Sequence, residues 1–524
     1  MYFFLILAQK RKIVKSHKSF FLFKQAINQV IIPTRFQGKS FSEDKITLFY
    51  QECSLKIFES IVFYYPMKKL KQKKQERNFT MSQFEFGYAQ EDITPAYGAD
   101  LQGYFNERLN KGAYDRLSLK AAVFRTGNEC AAIVSYDLCL FTGKVVEQFE
   151  ELLKQSGSPL AGKTLYCCTH THTGPYTSDL FGHGADQEYL EELKQKTVYA
   201  LNKAYKSLAP AELYATETEC STLAFNRRYI MKNGKTLTNP GKLNPEIDHS
   251  EGGIDSMIPI LQIRQHDRPV MLLVNISNHT DTIGGNYVSA DWPGAMEKEI
   301  QRAFDYQIPV MEITAPQGNI NHFDVSTMAD QTSYAEAKRI GKGYANVILA
   351  ALFKLKKQEN INIQTAVREF EAPYLQLTDE EYAEAKQTFE ENKDAVMEAG
   401  RDFTSEDIAR GVPAVKKFFA ERAIQCRENP IKEKRIEKQL KIAFNDEIAI
   451  VSLPAEPFVE IGEAIREGSK YPLTILAALG MGQIGYVGMP WHYGNGGYET
   501  SPSRGLADRH VGEAMIEGAL ELLK

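Results

Sequence analysis

The chain has 524 residues, 43% of them hydrophobic and 25% charged, with a formal net charge of −5. That balance belongs to a folded protein of one large or a few medium domains, and it excludes the strongly basic surface that a nucleic-acid partner requires. No apolar run reaches the roughly 18 residues of a membrane span, and the seven cysteines are odd in number and lack framework spacing, which fits reduced thiols in a cytoplasmic compartment.

The first eighty residues differ in texture from the rest. They open on MYFFLILAQKRK, close on MKKLKQKKQERNFT and hold a single glycine, Gly38. The apolar start has no basic residue before it and no small-residue cleavage site after it, so it does not read as a signal peptide. A basic amphipathic membrane-binding segment is one reading. The preferred one is different. Gln75-Glu76-Arg77 can be encoded with a purine-rich AGGAG core a few codons before Met81, in the manner of a bacterial ribosome-binding site read in frame. Translation is then expected to begin at Met81, and residues 1–80 are not a domain.

From Met81 the pattern alternates strand and helix. Residues 117–126 and 130–141 are β-prone runs joined by Gly127-Asn128, a hairpin signal, with Asp137 near the end of the second. Residues 144–156 read as a helix stopped by Gly157. The apolar run from Thr164 ends in Thr169-His170-Thr171-His172-Thr173-Gly174-Pro175, a buried strand that stops at a sheet end. In an extended chain His170 and His172 project the same way, into the crevice where open α/β sheets place ligand sites. Two imidazoles there can bind a metal, or one can bind while the other moves protons. Strand-end packing is the plain alternative.

Residues 186–209 read as a charged amphipathic helix and 211–218 as a strand. The polar region 226–252 is long for a loop in a compact domain, a length usually tied to function or mobility. Residues 257–264 and 269–277 read as strands, the second delivering Asn278-His279. Helix 290–306 is entered through Asp291-Trp292-Pro293, strand 309–314 runs into a Gln-Gly-Asn-Ile-Asn turn, and 332–356 is a long helix. The stretch 378–441 is helical and highly charged, and reads as a solvated insertion without a chemical role. Strand 447–453 ends in Pro-Ala-Glu-Pro, strand 480–487 leads into WHYGNGGYETSPSRG, and 507–524 is a terminal helix. Together these predict one large α/β domain, 81–524, with a mixed sheet flanked by helices and a helical insertion at about 378–441.

Polar and metal-capable side chains recur at the strand ends: His170, His172, His279, Gln317 to Asn321, Glu456, and Tyr486 with Tyr498. Singly, each has a structural reading: His279 as a strand cap, Glu456 as an acid at a helix N-terminus, Tyr486 as a core tyrosine. Together, two histidines and a glutamate would make a zinc site with an open position. The order of Asp92-Ile93-Thr94, Gly103-Tyr104, Thr169-His-Thr-His-Thr-Gly-Pro175, Asn226-Arg227, Asn278-His279, Gln317-Gly-Asn-Ile-Asn321, Leu453-Pro-Ala-Glu456 and Tyr486 with Tyr498-Glu499 resembles the catalytic domain of the neutral/alkaline non-lysosomal ceramidase family. The resemblance covers essentially the whole chain after Met81.

That resemblance implies zinc held by His170, His279, Glu456 and Tyr486, with His172, Arg227 and Tyr498 around the scissile carbonyl. Zinc lowers the pKa of water and polarises a carbonyl. His172 and Tyr498 are suited to donate to an oxyanion, and His172 to pass a proton to the leaving amine. Arg227 adjoins Arg228 in a polar loop, where arginine often serves solubility alone. The chain departs from the family at Asn321, which stands where the ceramidases carry serine and joins the catalytic candidates as a hydrogen-bonding group without a hydroxyl's chemistry. It also ends with the last catalytic-domain helix, without the family's C-terminal β-sandwich, and shows no secretion signal. Polar segments at Asn226-Arg-Arg, Asn233-Gly-Lys, Asp248-His-Ser-Glu and Tyr493-Gly-Asn-Gly-Gly are expected around the pocket. The expectation is a zinc-dependent hydrolase of a linear amide other than ceramide, with a small-molecule substrate and no stable membrane insertion. Its rivals are hydrolysis of another amide or ester, such as an N-acyl amino compound or modified sugar, and a non-catalytic binding protein on the same scaffold.

Overall fold

The apolar runs of the chain pair into three main sheets, each closed on at least one face by helices. The computed structural model describes residues 84–180, 182–396, 405–431, 435–502 and 506–524. The expectation for residues 1–80 and a start at Met81 lies outside them. In the first sheet β1 (Phe84–Asp92), β2 (Ser118–Thr126) and β3 (Glu129–Tyr136) form an antiparallel meander, and β4 (Thr164–Cys168) joins parallel to β3. β3 and β4 are buried along almost their whole length, as strands covered on both faces must be. Helix α1 (Gly143–Gln155) and helix α2 (Gln187–Lys206) pack beside each other, and α2 crosses β1 and β2. Asp186 caps α2 by accepting the Tyr189 N–H, one of the orphan donors of a helix start.

The second sheet holds β5 (Glu212–Glu219), β6 (Met257–Gln265), β7 (Arg268–Ile276) and β8 (Val310–Thr314) in the order β8-β7-β6-β5, with β7 and β8 parallel. Helices α3 (Asp291–Phe304) and α4 (Tyr334–Ala351) pack against each other and this sheet. The third holds β9 (Gln364–Glu371), β10 (Ile436–Ala443), β11 (Ile448–Leu453) and β12 (Leu473–Ala478), with β11 and β12 parallel. Between β9 and β10 lie α5 (Asp379–Asn392), a short helix at Ser405–Arg410, and α6 (Pro413–Glu428). Helices α7 (Val459–Gly468) and α8 (Val511–Leu522) complete the third layer. The fold class is mixed α/β, as the alternation predicts.

Two local expectations change, and one strand is unforeseen. The helical stretch ends at Glu428, and most of β10 lies inside the range expected to be helical. Its Glu437, Gln439 and Lys441 give it a helix-surface composition, yet all three are buried between β9 and β11. The strand expected at 480–487 shrinks to the pair Tyr486–Val487, because Leu479, Met481, Gly482 and Gly485 all adopt positive φ. β1, which carries no sequence expectation, pairs with β2 along its full length.

Buried polar contacts lock the sheets together near the strand ends. Asn275 of β7 donates to Leu476 O at 2.9 Å and accepts its N–H at 3.2 Å. Thr314 donates to Cys168 O at 3.2 Å, and Met481 N–H donates to Tyr166 O at 2.8 Å. The ends of β4, β7 and β11 are thereby brought to one place. Among the described residues no helix is long and apolar enough to cross a membrane.

Candidate metal centre and cavity

Each sheet delivers one member of a buried cluster. β4 ends at Cys168, and His170 takes a left-handed conformation with φ 68°, its N–H donating to Leu138 O at 2.9 Å. Continued strand alternation therefore does not align the two histidines. A turn does, and it sets their Nε2 atoms 3.3 Å apart. His279 follows β7 and Glu456 follows β11. A short parallel bridge places Glu456 opposite Tyr486 in register. Gly318 lies against this bridge, where a Cβ would stand 2.4 Å from Glu456 O, so only glycine fits.

The ligand atoms of His170, His279 and Glu456 all lie within 4.8 Å of one another. Glu456 Oε2 is 3.1 Å from His170 Nε2 and 3.4 Å from His279 Nε2, and Tyr486 Oη is 3.4 Å from His279 Nε2. The outer nitrogens decide the tautomers. His170 Nδ1 sits 2.8 Å from Cys139 O, and His279 Nδ1 sits 3.1 and 3.0 Å from Gln317 O and Ile320 O. Carbonyl oxygens only accept, so each Nδ1 carries the proton and each Nε2 presents a lone pair. Two lone pairs and a carboxylate oxygen thus converge in a buried space, an arrangement able to hold a cation. Burial, with the charge of Arg227, pushes His279 down to about 3 and keeps it a neutral donor. Burial opposes charge at His170 and Glu456 as well, yet their mutual attraction holds His170 well above and Glu456 well below the ordinary value. Without metal, a proton can take the cation's place. Imidazole nitrogens with carboxylate and phenol oxygens form a set that zinc accepts.

His172 stands beside the cluster. Its Nδ1 lies 3.6 Å from Asp281 Oδ1, which accepts the Tyr104 hydroxyl at 2.5 Å. Arg108 donates to His172 O at 2.6 Å and stacks on Tyr104 at 4.0 Å. Gly103, at φ 117°, passes so close that a Cβ would lie 2.7 Å from the His172 ring. Burial and the His170 charge hold His172 well below its ordinary value, hence neutral. Asp281 is absent from the sequence reading, and its position two residues after His279 is the only signal that points to it.

Arg227 is pinned by Glu499 Oε1 at 2.7 Å and by Gly318 O at 2.7 Å, with Nη1 3.4 Å from His279 Nε2. The arginine pair does not serve solubility alone, and Arg228 shares its partner. Arg228 is fully buried and pairs with Glu499 at 2.9 Å and with Glu251. The Tyr498 ring lies 5.7 Å from that of Tyr486, and burial with the Glu456 charge keeps its hydroxyl protonated. Asn321 faces elsewhere: its amide donates to Asn239 at 3.1 Å and its oxygen accepts the Phe323 N–H at 3.0 Å.

The cluster opens on a cavity of about 360 Å³ whose lining includes His170, His172, Glu456, Tyr486 and Tyr498 but not His279, Arg227 or Asn321. The polar segments expected around it are mostly absent from its walls. Phe105, Leu140, Ile484 and Leu506 line it, and α6 adds Phe418, Phe419 and Arg422. The charged insertion is therefore a wall of the site and not a solvated appendage.

No family model matches the chain, and no curated protein is significantly similar in sequence. Solved structures share its fold. The neutral ceramidase from Pseudomonas aeruginosa superposes with a TM-score of 0.63 at 15% identity, covering 84% of this chain and 74% of that one. A ceramidase complexed with C2 gives a TM-score of 0.61 at 15% identity, with the same coverage of 84% and 74%.

Proposed function

We propose that the chain is a zinc-dependent hydrolase of a linear amide, ceramidase-like in how its residues act, with a substrate other than ceramide. The observation that carries this reading is the convergence of the His170, His279 and Glu456 donor atoms, with His170 and Glu456 lining a cavity that also holds His172 and Tyr498. Held by these three residues with Tyr486, zinc supplies Lewis-acid activation of water and polarisation of the amide carbonyl. His172, with Nδ1 turned toward Asp281, is placed to accept a proton at Nε2 from the attacking water, and then to return it to the leaving amine nitrogen. The Tyr498 hydroxyl donates to the oxygen that gains charge as the carbonyl carbon becomes tetrahedral. Arg227, fixed by Glu499 and Gly318 O, holds positive charge behind His279 and lies 5.2 Å over the Tyr486 ring. Asn321, committed to Asn239, takes no part.

Size and charge argue against ceramide. A cavity of about 360 Å³ is at the small end for small-molecule sites, which run from roughly 300 to 1,000 Å³, and it offers two arginines and an aspartate instead of a continuous apolar surface for two long chains. The described cysteines, all free and buried, support a reducing, cytoplasmic setting. The test is a screen of zinc-loaded protein against linear amides, esters and detergent-dispersed ceramide. Amide turnover without ceramide turnover is expected. Ceramide hydrolysis at about 1 s⁻¹ or faster overturns the substrate assignment, and stoichiometric zinc with no turnover on any substrate favours a binding protein.

A further inference from the structure

We infer that α6 selects a linear amide bearing a carboxylate, in the class of N-acylated amino acids, and that Arg422 receives that carboxylate. The inference rests on the hydrolase reading above and adds its substrate class. Arg422 follows Phe418 by four residues and Phe419 by three, so it neighbours both on the surface of α6, and all three line the cavity. Phe419 meets the Tyr498 ring edge-on at 6.1 Å, which ties this surface to the groups around the scissile bond. Phe418 meets Phe105 at 5.3 Å across the cavity wall.

The charges of the cavity are accounted for except one. Glu456 faces two imidazoles. Glu499 lies between Arg227 and Arg228. Asp179, exposed at the mouth, accepts the Ala185 N–H at 3.0 Å. Arg435, on the same wall, lies 3.7 Å from Glu437 and 4.5 Å over Tyr374. Arg422 is half-buried, with its guanidinium 5.3 Å from the Phe418 ring. Among the described residues no carboxylate pairs with it. An arginine that only solvates a helix keeps its head in water. This one is drawn against an aromatic wall of a cavity, where burial lowers its pKa and a bound anion would restore it. The guanidinium fork matches a carboxylate with two parallel N–H donors, and the adjacent rings suit the hydrocarbon part of an acylated amino acid.

The test is calorimetric binding of N-acetyl and N-benzoyl derivatives of glycine, alanine and aspartate, each against its neutral carboxamide, with hydrolysis followed in parallel. Zinc-loaded wild type is expected to prefer the carboxylate by about 10- to 100-fold. Arg422→Gln abolishes the preference, and Arg422→Lys retains part of it, while binding of the carboxamides is unchanged in both. Equal affinity for acid and amide across the panel, or a preference that survives Arg422→Gln, overturns the inference. Hydrolysis without preference sinks the carboxylate assignment alone. Preference without hydrolysis of any amide sinks the hydrolase reading and leaves anion recognition standing.

Discussion

Arg227 Nε stands 2.7 Å from Glu499 Oε1, and the other oxygen of that carboxylate is 2.9 Å from Arg228. One buried glutamate thus holds two adjacent buried arginines, one of them, Arg227, pressed toward His279. Removing one partner of such a pair leaves uncompensated charge. Glu499→Gln is expected to cost about 3–5 kcal/mol of stability, read by chemical denaturation. Burial raises the cost of the Glu499 charge, but Arg227 and Arg228 win and set its pKa below the ordinary 4.5. A depressed carboxylate stabilises the fold at pH above its unfolded value, and that contribution fades as pH falls through the lower folded value. Wild type should therefore lose stability in acid more steeply than Glu499→Gln. Parallel acid profiles would contradict this.

His172 and Tyr498 line the cavity without belonging to the donor cluster assigned to metal. His172→Ala and Tyr498→Phe are expected to keep zinc while losing about 10²-fold or more in kcat on the true substrate. Full activity in either variant removes that residue from the mechanism.

Asp281 is placed to act through His172. Its carboxylate faces Nδ1 at 3.6 Å and is itself oriented by Tyr104, so it biases which imidazole nitrogen holds the proton. Asp281→Asn should retain zinc, lower kcat about 10- to 100-fold with little change in KM, and shift the acid limb of the pH–rate profile. An unshifted profile with a changed KM would show a role in packing alone.

The residues that converge here were legible from the sequence as strand-end polar groups, and the alternation of strands and helices gave the fold class. What escaped is non-local. His170 and His172 approach each other through a left-handed turn, which no period-two pattern encodes. The solubility alternative for Arg227 stayed open because the partners of the arginine pair, Glu251 and Glu499, are distant in sequence. The insertion carries a charged, helix-prone composition, and only tertiary packing turns Phe418, Phe419 and Arg422 toward the cavity. Asn321 follows the Gln-Gly-Asn motif that positions His279, yet its own side chain is spent on Asn239. Burial partners of this kind depend on where three sheets meet, and local propensity carries no record of it.

The central claim is that lone pairs on His170 and His279 share one metal ion with Glu456. The most direct measurement is zinc content per chain by elemental mass spectrometry, on protein purified without chelator, for wild type, His170→Ala and His279→Ala. One zinc per chain in wild type, with occupancy clearly reduced in both variants, is the predicted result. Normal zinc in both variants, or no metal in wild type after incubation with zinc, would contradict it.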